Sequence, residues 1–151
     1  TGCNGALHSA ALATWSASRV KPGEVRRKVY ERLEFVDYAP LLFISAATGQ
    51  RVVKILSLAE DVHQMASKKI ETSRLNQFRA RVNREYPPRS KSRGRIKIKY
   101  MTQQGIRPPA FVLFAHGRAA LAPAYEKFLT GLLRKEFDIW GTPIRLFLRK
   151  G

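Results

Sequence analysis

The sequence has one cysteine, few acidic residues and no long apolar run, and each shortage excludes a class of protein. Its single cysteine, Cys3, rules out an internal disulfide framework, so the chain fits a reducing compartment or is indifferent to redox. No apolar run approaches the roughly 18 residues of a membrane span. His8, His63 and His116 stand far apart, without the Cys, His or carboxylate neighbours that a metal site requires. We therefore expect no metal ion.

Catalytic motifs are missing as well. The chain has no Gly-x-x-x-x-Gly-Lys-Ser/Thr phosphate loop, no Cys/His pairing and no plausible Ser-His-Asp set. Most carboxylates stand beside Arg or Lys, as in Glu31-Arg32 and Arg84-Glu85, where surface charge balance explains them. We therefore predict no catalytic residues. The start at Thr1 rather than Met is typical of a processed or truncated product.

What the sequence has in excess is positive charge. Its 28 Lys and Arg face 11 Asp and Glu, which gives a formal net charge of +17. Such a chain repels itself unless a polyanion neutralises it, and nucleic acid is the first partner to consider. An anionic membrane surface is the rival polyanion, but the predicted helices place their apolar stripes where a protein core needs them. We therefore expect a nucleic-acid partner and no membrane partner.

Composition and periodicity divide the chain into three segments. Residues 1–23 are rich in Ala, Ser and Gly and are expected to be poorly ordered. Residues 24–69 have the pattern of the closing part of an α/β domain, and residues 70–151 have that of a basic α+β domain. With 151 residues, 44% of them hydrophobic, the chain is long enough for one ordinary domain or for a small domain plus part of another.

The α/β segment begins with a four-residue apolar repeat that predicts a helix over Glu24–Leu33. The continuous run Leu41–Ile44 then predicts a fully buried strand, and the small residues 45–49 predict a tight turn at its end. Apolar residues at three- and four-residue spacing predict an amphipathic helix from Val52 to Ala66. The predicted order of this segment is therefore a helix followed by a strand, a turn and a second helix.

The pattern of residues 70–151 predicts the order α-β-β-α-β. Thr72 or Ser73 can cap a helix that ends before Pro87. Its apolar face comprises Leu75, Phe78, Val82 and Tyr86. Strict alternation over Arg95–Tyr100 then predicts a half-buried strand, with Ile96, Ile98 and Tyr100 on its inner face. The remaining elements are a strand over Phe111–Phe114, a helix over Ala124–Phe137 and a strand over Ile144–Leu148. This order predicts a three-stranded sheet with helices on its one apolar face.

A local cluster of cations is the candidate nucleic-acid site. Its members are Arg89, Lys91, Arg93, Arg95, Lys97, Lys99 and Arg107, with no acidic residue among them. Strand alternation would project Arg95, Lys97 and Lys99 roughly 6 to 7 Å apart, which is comparable to phosphate spacing along a nucleic-acid strand. The helix residues Arg74, Arg81 and Arg84 are a possible extension. The alternative interpretation is a solvated face that serves solubility, and the absence of compensating carboxylates favours polyanion binding.

Aromatic residues accompany the cations, and most have core periodicity. These are Phe78, Tyr86, Phe111, Phe114, Phe128 and Phe137. Tyr100 and Phe147 are the two that could lie at a sheet end or face, where stacking on a base is conceivable. The one Gly-x-x-Gly spacing, Gly2–Gly5, lies outside any predicted helix pair and is treated as chance.

Five segments form a highly specific set of motifs: Asp37–Gln50, Ile70–Asn76, Ile98–Gln103, Arg107–Phe114 and Gly141–Leu146. With the regions between them, they resemble the C-terminal part of Der-type (EngA) ribosome-assembly GTPases. The resemblance runs from about Glu24 to the end. It implies a fold in which the remnant of a P-loop GTPase domain precedes a KH-like domain. The implied parent is a cytoplasmic protein that assists assembly of the large ribosomal subunit.

The resemblance also implies a nucleotide-binding remnant. The turn of Ser45, Ala46 and Ala47 would lie against the guanine of GTP, with the backbone N–H of Ala46 facing the base oxygen. The family's Asn-Lys-x-Asp motif should fall near Thr14, where the sequence reads Ala-Thr-Trp-Ser over 13–16 and lacks the carboxylate that reads guanine. The family's phosphate and Mg²⁺ motifs would stand upstream. We therefore expect no cofactor for this chain and no GTP turnover, although the parent family uses GTP and Mg²⁺.

Two functions follow from these observations. The first is an RNA-binding domain whose basic strand contacts ribosomal RNA in the large subunit. The alternative is a domain that docks on the GTPase domains of its parent protein and relays their nucleotide state, with little RNA affinity of its own. The family's KH-like domain lacks the Gly-x-x-Gly loop, as residues 70–151 do, so the resemblance does not identify the RNA-binding surface.

Overall fold

The computed structural model describes residues 21–33, 36–87, 96–116 and 121–151. Their elements are α1 (Pro22–Arg32), α2 (Lys54–Ser67), α3 (Thr72–Glu85), β1 (Ile98–Gly105), β2 (Ala110–Ala115), α4 (Pro123–Phe137) and β3 (Arg145–Lys150). No helix within these ranges is long and apolar enough to cross a membrane. Nearly all of the predicted segment 1–23 lies outside the described residues.

The described residues fall into two compact units. The first unit contains those up to Met65 together with Trp140–Pro143, and the second contains those of Ala66–Ile139 and Ile144–Gly151. The second unit therefore holds the sheet, α3 and α4. Trp140–Pro143 belongs to the first unit although it follows α4 in the sequence.

In the first unit, the prediction of a fully buried strand over Leu41–Ile44 is wrong. The run is not hydrogen-bonded as a strand, its first residues are half-buried, and Ile44 is 39% exposed. A strand needs a neighbour that pairs with its backbone, and the described residues of this unit supply none. The tight turn after the run does form. The Ser45 N–H donates to the Gln50 carbonyl at 3.1 Å, and Gly49 supplies a φ of +68°.

In the second unit, the predicted order α-β-β-α-β is confirmed. The sheet has the order β1-β2-β3. β1 and β2 form an antiparallel hairpin, whereas β2 and β3 are parallel because α4 connects them. α3 and α4 cover one face of the sheet. The buried core comprises Ile70, Leu75, Phe78, Val82, Ile98, Met101, Phe111, Leu113, Leu129, Leu133, Phe137 and Ile139.

Strict alternation along the first strand does not hold. Ile98 pairs with Ala115 and Tyr100 pairs with Phe114, so Lys99 is an extra residue in a β-bulge. The bulge reverses the alternation that follows it: Met101 is buried, while Tyr100 is 44% exposed on the other face. The prediction that Tyr100 shares the inner face with Ile98 is therefore wrong.

Side-chain amides fasten α3 to the outer edge of β1. Asn83 accepts from the Ile98 N–H at 3.2 Å and donates to the Ile98 carbonyl at 2.7 Å. Three residues further along the chain, past the extra residue Lys99, Asn76 makes the same two bonds to the backbone of Met101, both at 3.1 Å. The two asparagines are seven residues apart, two helical turns, and therefore lie on one face of α3. They occupy backbone groups that an edge strand otherwise leaves unpaired.

A third amide holds the entry to α3. Gln103 of β1 accepts from the Ile70 N–H at 2.8 Å and donates to the Lys68 carbonyl at 2.9 Å. The predicted cap at Thr72 or Ser73 is wrong, because Thr72 is the first helical residue and Glu71 is the N-cap without a side-chain cap bond.

The aromatic predictions hold for three of the six core candidates. Phe78, Phe111 and Phe137 are buried, and the first and last meet edge to face at 5.6 Å. Tyr86 and Phe128 are 46% and 41% exposed, against the prediction, because they pack on each other and Phe128 packs on Tyr125, outside the buried core. Phe114 is half-buried. Burial raises the pKa of Tyr125 to about 12, and its hydroxyl donates to the Tyr86 carbonyl at 2.8 Å.

Candidate nucleic-acid interface

The predicted cationic cluster is only partly visible in the structure. Arg89, Lys91, Arg93 and Arg95 lie outside the described residues. Lys97 and Lys99 are exposed at the start of β1, and Arg107 is exposed in the turn that joins β1 to β2. A strand rises about 3.3 Å per residue, so roughly 20 to 25 Å separate Lys99 from Arg107. Lys97 and Lys99 are two residues apart and lie close together, whereas Arg107 is too far away to form one cluster with them.

Arg107 is held by its backbone. Its N–H donates to the Ala66 carbonyl at 3.0 Å, and its φ is +57°, in the left-handed region that side chains seldom adopt. These backbone constraints fix the position of Arg107 in the turn.

The cations of α3 are already engaged by neighbouring groups. Arg81 pairs with Glu136, and that hydrogen bond raises the pKa of Arg81. Arg84 pairs with Glu85 at 2.9 Å, and the Arg74 guanidinium lies 5.6 Å from the ring centre of Phe137. Exposed ion pairs of this kind are weak. Even so, a polyanion that binds α3 must compete with these contacts, so we expect it to bind α3 less well than the sheet.

The sheet carries two further cations that the sequence reasoning did not single out. Leu146 and Leu148 of β3 pack against the core, which places Arg145 and Arg149 on the other side of the strand. Both are exposed, and Arg149 donates to Gln104 of β1 at 3.4 Å. The alternating pattern of residues 144–149 was the signal that could have identified them.

We call the sheet face that α3 and α4 leave uncovered the open face. It consists of Tyr100, Thr102, Val112, Phe114, Arg145, Phe147 and Arg149. Tyr100 and Phe147 are 44% and 46% exposed, so both lie where stacking on a base is sterically possible. The three strands contain no Asp or Glu. The open face therefore combines aromatic rings with uncompensated positive charge.

The predicted nucleotide turn lies in the first unit. Ser45 is half-buried, and its hydroxyl accepts from the Thr48 N–H at 3.3 Å. Ala46 and Ala47 are exposed. The assignment of these three residues to guanine remains a prediction, and residues 13–16 lie outside the described part of the chain. Within that part, no cluster of His, Cys, Asp and Glu is arranged to hold a metal ion.

Residues 69–149 match the family described as the KH-domain-like C-terminal region of EngA bacterial GTPase enzymes. The chain belongs to this family. It is similar to the GTPase Der of Acetivibrio thermocellus, with 43% identity over 127 residues, and to that of Chloroherpeton thalassium, with 44% identity over 124 residues. These matches cover 84% and 82% of the chain but only 29% and 28% of the two relatives. The chain thus spans less than a third of the length of these relatives.

The family assignment confirms the resemblance inferred from the five sequence segments, and the structure shows what several of those residues do. In the KH-like domain, Asn76 and Gln103 are the amides that join the backbone of β1 to α3 and to its entry. Phe111 and Leu113 are core residues of the central strand. Much of what makes the segments recognisable is therefore the construction of the domain rather than a binding site.

Proposed function

We propose that this chain is the RNA-contacting C-terminal region of a Der-type GTPase that acts in assembly of the large ribosomal subunit in the cytoplasm. One observation carries the proposal: Lys97 and Lys99 are exposed at the start of an acid-free sheet in a chain of net charge +17. Phosphate contacts supply most sequence-independent affinity for nucleic acid.

The position of the cations supports RNA over a merely solvated surface. A face kept for solubility ordinarily mixes charges of both signs, as α3 and α4 do through Arg81 and Glu136. β1 and β3 instead carry Lys and Arg alone among their charged residues. Such uncompensated charge is stabilised when a polyanion binds.

The first test removes three of the proposed phosphate contacts together. We expect the variant Lys97→Gln, Lys99→Gln, Arg107→Asn to bind a large-subunit ribosomal RNA fragment at least about tenfold more weakly. Asn is chosen at 107 because it tolerates the positive φ. Three lost contacts should lower the slope of log K against log salt by about 2. Fluorescence anisotropy across a salt titration measures both quantities.

The matched control removes the same charge elsewhere. Arg26, Lys28 and Arg32 are exposed on α1, and changing all three to Gln should leave the salt slope nearly unchanged. An unrelated RNA of equal length tests selectivity. If the Lys97, Lys99 and Arg107 variant and the α1 variant show the same affinity and the same salt slope, the proposed site is wrong. GTP turnover by the pure chain would contradict the expectation that it is inactive alone.

The second candidate function is docking on the GTPase domains of the parent protein, and the first unit favours it. Neither α1 nor α2 contains a buried residue. Val53 and Leu56 are 79% and 73% exposed, next to Val52 at 41%. Exposed apolar groups of this kind mark surfaces that another protein covers.

Docking predicts that the chain associates with a separately produced GTPase half of a Der relative. Leu56→Asp should weaken that association more than tenfold, because it places a charge in an apolar contact. Gln64→Asp, at an exposed polar position of the same helix, is the matched control. Calorimetric titration measures the affinity of each variant for the GTPase half. Equal binding by the two variants, or no association of the native chain, contradicts docking through α2.

A further inference from the structure

The open face has a regular arrangement of rings that phosphate contacts do not require. Tyr100 of β1 pairs with Phe114 of β2, and their ring centres lie 6.1 Å apart. Phe114 pairs in turn with Arg149 of β3, and Phe147 lies two residues before Arg149 on the same face. One aromatic side chain from each strand therefore reaches this face. Neighbouring strands lie about 4.8 Å apart, so the three rings span roughly 10 Å across the sheet.

The rings depend on the bulge at Lys99. Without the extra residue, Tyr100 would follow Ile98 into the core and the first strand would contribute no ring to the open face. Bulges re-aim side chains in this way near binding sites. Lys99 is exposed directly beside Tyr100.

Packing within the domain does not account for the rings. Tyr100 and Phe147 are nearly half exposed, while Val112 of the central strand, which pairs with Thr102 and Phe147, is 2% exposed. The central strand is thus shielded and the outer rings remain accessible. Phe147 stands between Arg145 and Arg149, so the most exposed ring is flanked by cations on its own strand.

The charge around the rings decides between classes of partner. An apolar protein surface would have to desolvate Arg145 and Arg149, at a cost that only paired acidic groups would offset. A single strand of RNA offers bases that stack on the rings and phosphates that neutralise the guanidinium groups. A sheet that presents aromatic residues on an uncovered face can stack two or three bases.

We infer that the open face is a stacking platform for single-stranded RNA, with Tyr100 and Phe147 as the base-stacking residues and Arg145 and Arg149 as phosphate contacts. The inference rests on the proposed function and adds the form of RNA that binds. Because every base has a ring face, the platform tolerates different sequences but requires unpaired bases. Duplex RNA should not use it.

The test replaces rings by an aliphatic side chain of similar bulk. Tyr100→Leu and Phe147→Leu, in the full chain, should each bind a fluorescein-labelled 12-nucleotide single-stranded RNA roughly tenfold more weakly. The salt slope should stay unchanged, because no phosphate contact is lost. Tyr100→Phe and Phe147→Tyr keep the ring and should bind as the native chain does. Affinity for a 12-base-pair duplex should be the same for all four variants.

Phe128→Leu is the matched control, since Phe128 is 41% exposed but stands on α4 beside Tyr86. A second measurement uses the native chain alone: ultraviolet cross-linking to the same RNA should label peptides that contain Tyr100 or Phe147. If the two Leu variants bind single strands no more weakly than Phe128→Leu, or if cross-links fall only elsewhere, the platform is wrong.

The outcomes separate this inference from the proposed function. Loss of affinity in the Lys97, Lys99 and Arg107 variant without any loss in the two Leu variants would leave RNA binding standing and overturn the platform. Failure of the native chain to bind RNA would overturn both. If the Leu variants bind RNA normally but associate less with the GTPase half, the open face is a protein-docking surface and the inference is wrong.

Discussion

Asn83→Ala is expected to lower the free energy of unfolding of the KH-like domain by about 1–3 kcal/mol, and the double variant Asn76→Ala, Asn83→Ala by about 2–6 kcal/mol. Each asparagine pairs with both backbone groups of one β1 residue, Met101 or Ile98. Alanine leaves those partly buried groups without the amide, and losing a partner costs more than an average hydrogen bond contributes. Urea denaturation measured by circular dichroism gives the difference.

Two further variants isolate the amide as the cause. Gln77→Ala removes an exposed amide from the same helix and should change the free energy of unfolding by less than about 0.5 kcal/mol. Asn83→Asp keeps an acceptor for the Ile98 N–H but places a second oxygen against the Ile98 carbonyl, so it should also destabilise. A free energy of unfolding for Asn83→Ala equal to that of Gln77→Ala would show that the Asn83 hydrogen bonds to Ile98 do not stabilise the domain.

The hydrogen bonds of Asn76 and Asn83 also determine which edge of the sheet is free to pair with another strand. α3 covers the outer edge of β1 through Asn76 and Asn83, and the Arg79 guanidinium adds a bond to the Ile98 carbonyl at 3.1 Å. β3, at the other edge, carries Arg145, Arg149 and Lys150. Charged side chains on an edge strand disfavour pairing with another strand. One edge is thus closed by hydrogen bonds and the other is protected by charge.

The second unit was largely predictable because its apolar residues have clear periods. Leu75, Phe78 and Val82 recur at helical spacing and all three are buried in the core. The alternation of Leu146 and Leu148 likewise identified the inner face of β3. The bulge at Lys99 was not predictable, because it arises from the register between β1 and β2 and leaves no mark in the local pattern.

In the first unit, the same reasoning failed for Leu41–Ile44. An apolar run predicts burial, but a strand also requires a neighbour, and the described residues provide none. For the candidate site, the sequence identified Lys97, Lys99 and Tyr100 as residues of interest. It could not show that Tyr100 and Phe147 share a face with Arg149, because that depends on three strands whose sequences are far apart.

Gly141→Ala is expected to destabilise the first unit by about 2–5 kcal/mol. Gly141 has a φ of +71°, where a side chain is strained, and its N–H donates to the Tyr38 carbonyl at 3.0 Å. An added Cβ would stand 2.6 Å from Cγ2 of Val62. Val62 is on a helix and β-branched, so it has little rotamer freedom with which to move away. Urea denaturation, with hydrogen exchange to resolve the two units, measures the effect.

The double variant Gly141→Ala, Val62→Ala separates the two causes. Removing the Val62 methyl groups relieves the contact but not the backbone strain, so part of the lost stability should return and about 1–3 kcal/mol should remain lost. Gly131 of α4 is the control, since nothing lies within 4 Å of its added Cβ. Gly131→Ala should stabilise its helix by up to about 1 kcal/mol. If Gly141→Ala is as well tolerated as Gly131→Ala, then neither the positive φ nor the contact with Val62 constrains position 141, and Trp140–Pro143 is held in the first unit by other contacts.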